Sequence, residues 1–321
     1  MYGNDREDAT AHCCGECGVE GDARLKTCKS CMQAKYCSAI CQKNHWPKHK
    51  KQCKLRATEL RDEALFNDPP PKEDCPICFL PMPAKLICCV SLPPATISSV
   101  PIYNLAIANE EFQLADMEVY YPCCGKSVCI GCICSFHESG NNDKCPFCKA
   151  ERTGKTEEEN KEDLMKRVAV HDPVSICMLA GSYHHGLNGF QQDHAKAKEL
   201  YTRAADLSCN DAHSSLGDIY HEGGDMKKTK FHWEAAAMAG NEVARYNLGA
   251  LEYDSGTKER GVKHWITAAS AGEFNAMNDL RIGFEKGYVS RESINSTLVA
   301  YNNSCAEMRN EARGAYMRRL Y

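Results

Sequence analysis

Pairs of cysteines separated by two residues recur along the first half of the chain, and they constrain its fold more than any other feature. The 321 residues include 22 cysteines, 19 of them at or before Cys148. Two thiolates on one tight turn can reach a single zinc ion, at about 2.3 Å each. A disulfide scaffold needs an oxidising compartment, but the polar start, Met1 to Thr10, lacks the apolar stretch of a secretory signal. The pairs therefore predict zinc sites in an intracellular protein, cytoplasmic or nuclear.

The first cluster supplies enough ligands for two closed tetrahedral sites. Its eight candidates are Cys14, Cys17, Cys28, Cys31, Cys37, Cys41, His49 and Cys53. Cys13 adjoins Cys14 and is an alternative first ligand. Tyr36 precedes one of the cysteines, Gln42 follows another, and Trp46 stands three residues before the histidine. With these flanks the segment resembles a MYND-type zinc finger over its full length.

The MYND resemblance implies how the ligands pair and what the module does. The family's interleaved topology would give one ion Cys14, Cys17, Cys37 and Cys41, and the other Cys28, Cys31, His49 and Cys53. Closed sites leave no position for water, so both ions would be structural. The family binds short proline-rich peptides of other proteins, and the same is expected here. Some relatives are lysine methyltransferases, but the short interval before the next cysteine block leaves no room for their catalytic domain.

A second cysteine block has the same kind of pairs around a long gap. Its candidate ligands are Cys75, Cys78, Cys123, Cys124, Cys129, Cys132, Cys145 and Cys148. The Cys-Pro-x-Cys ends and the Cys-Gly-x3-Cys-x2-Cys centre resemble a RING finger. That family's cross-brace would place Cys75, Cys78, Cys129 and Cys132 on one ion, and Cys124, Cys145 and Cys148 on the other. The gap contains Cys88 and Cys89, expected as buried or free thiols, with a third zinc site as the alternative.

The fourth ligand of the last site stays open in the sequence. Many RING fingers have histidine where this chain has Lys126, and an ammonium group cannot bind zinc. Cys123 would complete an all-cysteine site next to Cys124, although adjacent ligands are geometrically awkward. His137 and Cys134 are the alternatives. The two modules together predict four zinc ions, two in each.

The RING resemblance implies ubiquitin ligase activity without covalent chemistry, because such modules hold a charged conjugating enzyme in a reactive pose. In the family, the apolar residue between the first cysteine pair contacts that enzyme, and Ile77 matches it. Pro146 matches the residue beside the last pair, and Lys149 stands where a cation can bridge to ubiquitin. No residue is assigned as catalytic. A non-catalytic scaffold in which every module only binds proteins is the second hypothesis, and the domain order favours neither.

Identical residues recur every 32 positions in the last part of the chain. The aligned sets are Ala212, Ala244 and Ala276, and Leu216, Leu248 and Leu280. An earlier copy is offset by 37, which predicts a longer loop. A fixed period in this range indicates stacked helical units. The Leu-Gly motifs and the alanine-rich second helices resemble Sel1-like repeats, which implies a solenoid with a protein-binding surface. In the last unit Leu280-Arg281 replaces Leu-Gly, and that unit is expected to cap the array.

The predicted fold is mainly α, with two small cross-braced zinc modules followed by an α-helical Sel1-like solenoid. The predicted segments are a MYND-type finger at 14–53, a helix and proline-rich linker at 54–74, a RING-like finger with a long insertion at 75–148, a charged linker or helix at 149–171, repeats at 172–305 and a capping helix at 306–321.

Charge and hydropathy indicate what the chain binds. The 39 basic and 43 acidic residues give a net charge of -4, so no bias toward nucleic acid or anionic membrane exists. No apolar run approaches the roughly 18 residues that span a bilayer. Neither cysteine spacing matches the zinc fingers that read DNA. The expected partners are other proteins, including proline-rich peptides and a ubiquitin-conjugating enzyme, with no membrane and no nucleic acid.

Overall fold

A computed structural model describes most of the chain, namely residues 14–20, 25–82, 118–141, 144–151 and 156–307. Three of the sequence predictions lie outside the described residues. These are the alternative ligand Cys13, the thiols of Cys88 and Cys89, and the capping helix beyond Glu307. The chain divides into two compact units, residues 1–67 and 68–321.

The described part of the first unit contains a short hairpin and one long helix. Strands β1 (Lys26–Thr27) and β2 (Lys35–Tyr36) pair antiparallel, and helix α1 spans Ala39–Phe66. The buried residues of this hairpin region are mostly the candidate ligands themselves, together with Tyr36. A module this small has little apolar core, so its fold depends on whatever holds the thiols together.

Helix α1 begins well before Lys54, the start of the helix and linker segment in the sequence prediction. The Ser38 hydroxyl caps it by accepting a hydrogen bond from the Cys41 amide at 3.2 Å. His49 and Cys53 are buried on its inner face. Candidate metal ligands occupy the buried positions that leucine or valine would normally fill. The first turns of α1 therefore lack the apolar periodicity by which a helix is predicted.

The second unit opens with a zinc module built on another hairpin. Strands β3 (Glu118–Tyr121) and β4 (Lys126–Cys129) pair antiparallel, and helix α2 (Ile130–Glu138) follows directly. The buried apolar side chains around the cysteines are Met82, Tyr121, Val128 and Ile133. Isolated bridges between Asp74 and Pro81, and between Lys144 and Glu151, close the chain around the first and last cysteine pairs.

Nine further helices complete the described part of this unit. They are α3 (Glu157–Ala169), α4 (Pro173–His185), α5 (His194–Asp206), α6 (Asn210–Glu222), α7 (Met226–Met238), α8 (Glu242–Asp254), α9 (Lys258–Ser270), α10 (Phe274–Glu285) and α11 (Arg291–Glu307). From α4 onward the helices form consecutive pairs, and each helix packs against its neighbours in the chain. The mainly α fold with an array of helical repeats is therefore as predicted.

The repeat interval seen in the sequence is the interval between equivalent helices. The first helices of the four pairs begin at Pro173, Asn210, Glu242 and Phe274, at intervals of 37, 32 and 32 residues. The connection 186–193 within the first pair is longer than its counterparts. Side chains of Asp, Asn or Glu cap most of these helices, and in α4 Asp172 accepts from the Ser175 amide at 2.9 Å.

The zinc hairpin and the start of the helical array share one packed interface. The Tyr120 hydroxyl lies 2.9 Å from the Ser175 hydroxyl. Arg167 pairs with Asp172 at 2.6 Å, and its guanidinium lies so close to Gly125 that a Cβ there would be 2.0 Å from Nη2. Helix α3, which contains Arg167, lies in the segment predicted as a charged linker or helix.

The Leu-Gly motif of the repeats exists because a tryptophan of the paired helix lies against the glycine. A Cβ on Gly217 would lie 2.1 Å from Cδ1 of Trp233, and one on Gly249 would lie 2.3 Å from Cδ1 of Trp265. The last unit has arginine at the equivalent position, Arg281. The residue 32 positions after Trp265 is a threonine, so no indole occupies that space and a side chain is accommodated.

Gly217→Ala is expected to destabilise the repeats by about 1–3 kcal/mol, the usual cost of forcing a methyl group into a packed core. The better helix propensity of alanine, worth up to about 1 kcal/mol, offsets part of this loss. Urea unfolding followed by circular dichroism measures the difference. Gly223→Ala is the matched control, because a Cβ there meets only the carbonyl oxygens of Ile219 and Tyr220, at 3.4 and 3.7 Å. Equal stability of the two variants would contradict the packing argument.

Within the described ranges, every helix is too short or too polar to cross a lipid bilayer.

Candidate metal centres

Four groups of cysteine and histidine ligand atoms lie close enough to bind a metal ion. In each group all ligand atoms are within 4.8 Å of one another, and the groups are Cys14, Cys17, Cys37 and Cys41; Cys28, Cys31, His49 and Cys53; Cys75, Cys78, Cys129 and Cys132; and Cys123, Cys124, Cys145 and Cys148. The described cysteines form no disulfide. The structure thus brings together the sixteen residues that the sequence analysis proposed as ligands.

The distances within the first module fit tetrahedral zinc. Ligands about 2.3 Å from one ion lie about 3.8 Å apart in a tetrahedron. The Cys37 sulfur is 3.6 Å from both Cys17 and Cys41. In the other group the Cys28 and Cys53 sulfurs are 3.7 Å apart. These separations match a shared metal and are too long for disulfide bonds, which measure about 2.05 Å.

His49 enters its group through Nε2, 3.4 Å from the Cys31 sulfur. A neighbouring pair of residues fixes the surroundings of its ring. His45 stacks on it with ring centroids 5.5 Å apart, and the Tyr36 hydroxyl lies 2.9 Å from His45 Nδ1. Such supporting contacts hold a ligand ring in orientation. Sequence reasoning missed His45; its position one helical turn before His49 was the available signal.

The second module shows the same separations. The Cys78 and Cys129 sulfurs are 3.8 Å apart, the Cys124 and Cys145 sulfurs 3.7 Å, and the Cys123 and Cys148 sulfurs 3.5 Å. The two ligand groups interleave along the chain, since the first and third cysteine pairs meet in one group and the second and fourth in the other.

The turn between β3 and β4 shows how adjacent cysteines can serve one ion. The amides of Cys124 and Gly125 both donate to the Tyr121 carbonyl, at 3.2 and 2.8 Å. Gly125 has a φ of 71°, the left-handed conformation that glycine adopts without strain. The tight turn aims both thiols at the pair Cys145 and Cys148. In an extended backbone, adjacent side chains would instead point to opposite faces, and the two thiols could not reach one ion.

The alternatives for the fourth position lie elsewhere. His137 and Cys134 belong to helix α2 and are not in any of the four groups. Lys126 also stays outside the group of thiols, and its ammonium lies over the Phe147 ring, 4.7 Å from the centroid. The contact stabilises the cation against the aromatic face, outside the group of thiols.

Four of the five Cys-x2-Cys pairs are followed by one residue in the left-handed conformation, whereas the pair Cys129 and Cys132 runs into helix α2. The four residues are Gly18, Met32, Phe79 and Lys149, with φ of 70°, 55°, 55° and 59°. Each donates its amide to the carbonyl of the first cysteine of its pair, at 2.8 to 3.1 Å. Non-glycine residues adopt this conformation only where the surroundings enforce it. A thiolate pair that grips one ion on such a turn supplies that enforcement.

The thiols of one group shift each other's pKa values in opposite directions. Hydrogen bonds from the Cys129 and Cys132 thiols hold the pKa of Cys75 well below its usual range. The reverse holds for Cys132, whose pKa is raised far above its usual range by its contacts with Cys129 and Cys75. The group therefore favours a first thiolate and opposes further ones. A divalent cation removes that opposition, since zinc binds thiolates and deprotonates them.

The residues predicted to bind a conjugating enzyme lie on the turns of the second module. Ile77 is 38% exposed within the turn of the first cysteine pair. Pro146 lies in the turn of the last pair, directly after Cys145. The Lys149 ammonium donates to the Pro146 carbonyl at 3.1 Å and lies 5.6 Å from the centroid of the Phe136 ring. The cation is thus engaged by its own module.

The fold and these sites define a zinc-finger protein with an array of helical repeats. Residues 14–53 match the MYND finger family and form a MYND zinc finger, a protein-interaction module. This segment is similar to human histone-lysine N-methyltransferase SMYD3, with 51% identity over 41 residues, 13% of this chain and 9% of the relative. The mouse protein of the same name is 48% identical over 40 residues, 12% of this chain and 9% of that protein.

Two further likenesses concern other proteins. Tudor domain-containing protein 1 of Oryzias latipes is 38% identical over 60 residues, 19% of this chain and 5% of that protein. The chain therefore spans less than a tenth of the curated relatives described here. A crystal structure of a Sel1 repeat protein from Oxalobacter formigenes aligns with a TM-score of 0.42 and 20% identity, covering 56% of this chain and 72% of that chain. The repeat architecture described above rests on the helix pairs of this chain alone.

Proposed function

We propose that this chain is a zinc-dependent protein-interaction protein of the cell interior, whose second module acts as a RING-type ubiquitin ligase. The MYND finger and the Sel1-like repeats would recruit partners, including proline-rich peptides. In this proposal the zinc modules, linkers and repeats have the boundaries that the sequence predicts. The sixteen grouped residues would hold four zinc ions.

The zinc ions would be structural in both modules. Each group supplies four ligand atoms, which fills a tetrahedral ion and leaves no position for a reacting water. When bound, zinc neutralises the thiolates and fixes the turns. The residues of the chain then only provide a surface that partner proteins bind. They transfer no proton and form no covalent bond.

The interleaved arrangement of the second module is the observation that carries the ligase proposal. Because its two ligand groups alternate along the chain, the first and last cysteine turns are held on one rigid frame. Ile77 lies on the first of those turns and Pro146 on the last. A fixed pair of apolar contacts suits the docking of a conjugating enzyme, whose thioester reacts faster when it is held in one orientation.

One observation favours the second hypothesis, a non-catalytic scaffold. The Lys149 ammonium, at the position where a family cation reaches toward ubiquitin, is turned back onto the Pro146 carbonyl. Arginine would also bridge better there, because its planar fork makes two hydrogen bonds. A module without that bridge can still bind a conjugating enzyme while activating it poorly.

A ubiquitin-chain assay with a panel of conjugating enzymes separates the two functions. We expect chains with at least one enzyme, and a loss of about tenfold or more in rate for Ile77→Ala, because a buried apolar contact is worth about 1.5–3 kcal/mol. Ile40→Ala is the matched control, since Ile40 is an exposed isoleucine of the first module. If no enzyme supports chain formation, the chain is a scaffold. If Ile77→Ala builds chains as fast as the wild type, the proposal that the second module docks the conjugating enzyme as a RING finger fails.

A further inference from the structure

The proline-rich segment before the second zinc module lies against the helical repeats. Residues 68–73 form neither helix nor strand. Pro70 contacts the turn after α7, where a Cβ on Gly240 would lie 3.7 Å from Pro70 Cγ. Lys72 forms an ion pair with Glu242 and donates to the Ala271 carbonyl at 3.2 Å. The segment thus crosses the turns that begin α8 and end α9.

Acidic residues lie near the starts of successive first helices along this edge of the repeats. Asp211, Glu242 and Glu273 lie at the starts of the first helices of three successive pairs, α6, α8 and α10. Asp211 accepts from the Asn241 amide group at 3.3 Å, and Glu273 caps α10. The Ala271 carbonyl is at the C-terminal end of α9, where the helix dipole adds negative potential. A cation is therefore favoured between Glu242 and the Ala271 carbonyl.

Glu242 needs a positive partner because it is only 5% exposed. A carboxylate buried without a counter-charge costs several kcal/mol. Arg245, one turn further along α8, contributes, but its guanidinium also donates to the Ala237 carbonyl at 2.7 Å. The Lys72 ammonium supplies the charge that faces Glu242 from outside the repeats.

We propose that this edge is a binding site for extended segments of other proteins that carry a lysine two residues after a proline, and that the chain's own Pro70–Lys72 occupies it as an intramolecular competitor. The Pro70 contact selects an extended backbone, which proline favours at low entropic cost. The lysine supplies the charge. The repeats alone form the site, because Gly240, Glu242 and Ala271 all belong to them.

Tethering explains why the site is closed in the free protein. A segment of the same chain competes for its site at a high effective concentration. A peptide from outside must therefore exceed that concentration or act together with contacts made by another module. Removal of Lys72 should open the site without changing the residues that form it.

Binding of a labelled peptide to the full-length chain tests the proposal. The probe is a fluorescent, C-terminally amidated peptide with the sequence of residues 67–72, Asn-Asp-Pro-Pro-Pro-Lys. We expect Lys72→Ala to bind it at least tenfold more tightly than the wild type. Lys72→Ala combined with Glu242→Gln should lose that gain, whereas Lys72→Ala with Glu259→Gln, an exposed acid at the start of α9, should keep it.

Equal binding by the wild type and Lys72→Ala would overturn the proposal, as would binding that Glu242→Gln leaves unchanged. A peptide with alanine in place of its lysine should bind none of the variants. If Lys72→Ala fails to fold, Lys72→Gln replaces it, since glutamine can still donate to Ala271 while removing the charge. The readout is peptide binding, so the result is independent of whether the second module builds ubiquitin chains.

Discussion

Cys123→Ala should lower the zinc content of the intact chain from four ions to three. Cys123 lies 3.5 Å from Cys148 and shares its group with Cys124 and Cys145. Without it the ion keeps three thiolates and an open position, which weakens a structural site. Zinc sites of this kind contribute about 10–16 kcal/mol of apparent binding energy, so loss of one ligand is a large effect. Native mass spectrometry after equilibration with a competing chelator counts the ions.

Two controls separate ligand loss from general damage. Cys134→Ala removes a buried thiol of the same module, and His137→Ala removes the other alternative ligand. Both should retain four zinc ions under the same conditions. If Cys123→Ala keeps four ions while one of these variants loses one, the fourth ligand is assigned wrongly. Two ions in the wild type would show that the second module is not a zinc finger of this kind.

Zinc removal should disrupt both zinc modules and leave the helical repeats folded. The buried residues of the first module are mainly its own ligands. The repeat cores contain none of the sixteen grouped residues; they are built from side chains such as Leu216, Leu248, Leu280 and Trp265. Loss of the ions therefore removes the structure of one part of the chain and spares the other.

The three tryptophans report on the two parts separately. Trp46 is 40% exposed, and its ring centroid lies 6.4 Å from that of His49, whereas Trp233 and Trp265 are buried in the repeats. A chelator should change the fluorescence of the wild type, and Trp46→Phe should abolish most of that change. Limited proteolysis should leave a fragment that begins near residue 156. A red shift of the two repeat tryptophans at the same chelator concentration would contradict independent folding.

The two zinc modules differ in how much their sequences reveal. In the first, a recognisable spacing and its flanking residues indicate one arrangement, and the MYND finger is confirmed. In the second, the adjacent pair Cys123 and Cys124 leaves the fourth position open, because spacing does not determine where two neighbouring side chains point. The turn that ends at Gly125 decides this through two hydrogen bonds to one carbonyl.

The start of helix α1 shows a second limit of sequence reasoning. Apolar periodicity predicts a helix when apolar residues form its buried face. Here His49 and Cys53 occupy that face, and their spacing indicates metal ligands rather than a helix. The part of the helix before Lys54 was therefore not predicted. The Ser38 cap was the remaining local signal. The left-handed residues after the cysteine pairs were missed for a similar reason, since among them only Gly18 is a residue type that commonly adopts this conformation.

The sequence by itself determined the cysteine pairs as zinc-binding turns and the helical repeats as a regular array. Both follow from short-range chemistry, because a thiolate pair and a 32-residue unit each depend on residues close together in the chain. Only the tertiary structure decided that Cys123 and Cys148 share a group and that Lys72 meets Ala271. Those contacts join residues 25 and 199 positions apart. No local pattern records such a pairing, since it arises when separately formed elements pack and bring unlike charges or ligands to one place.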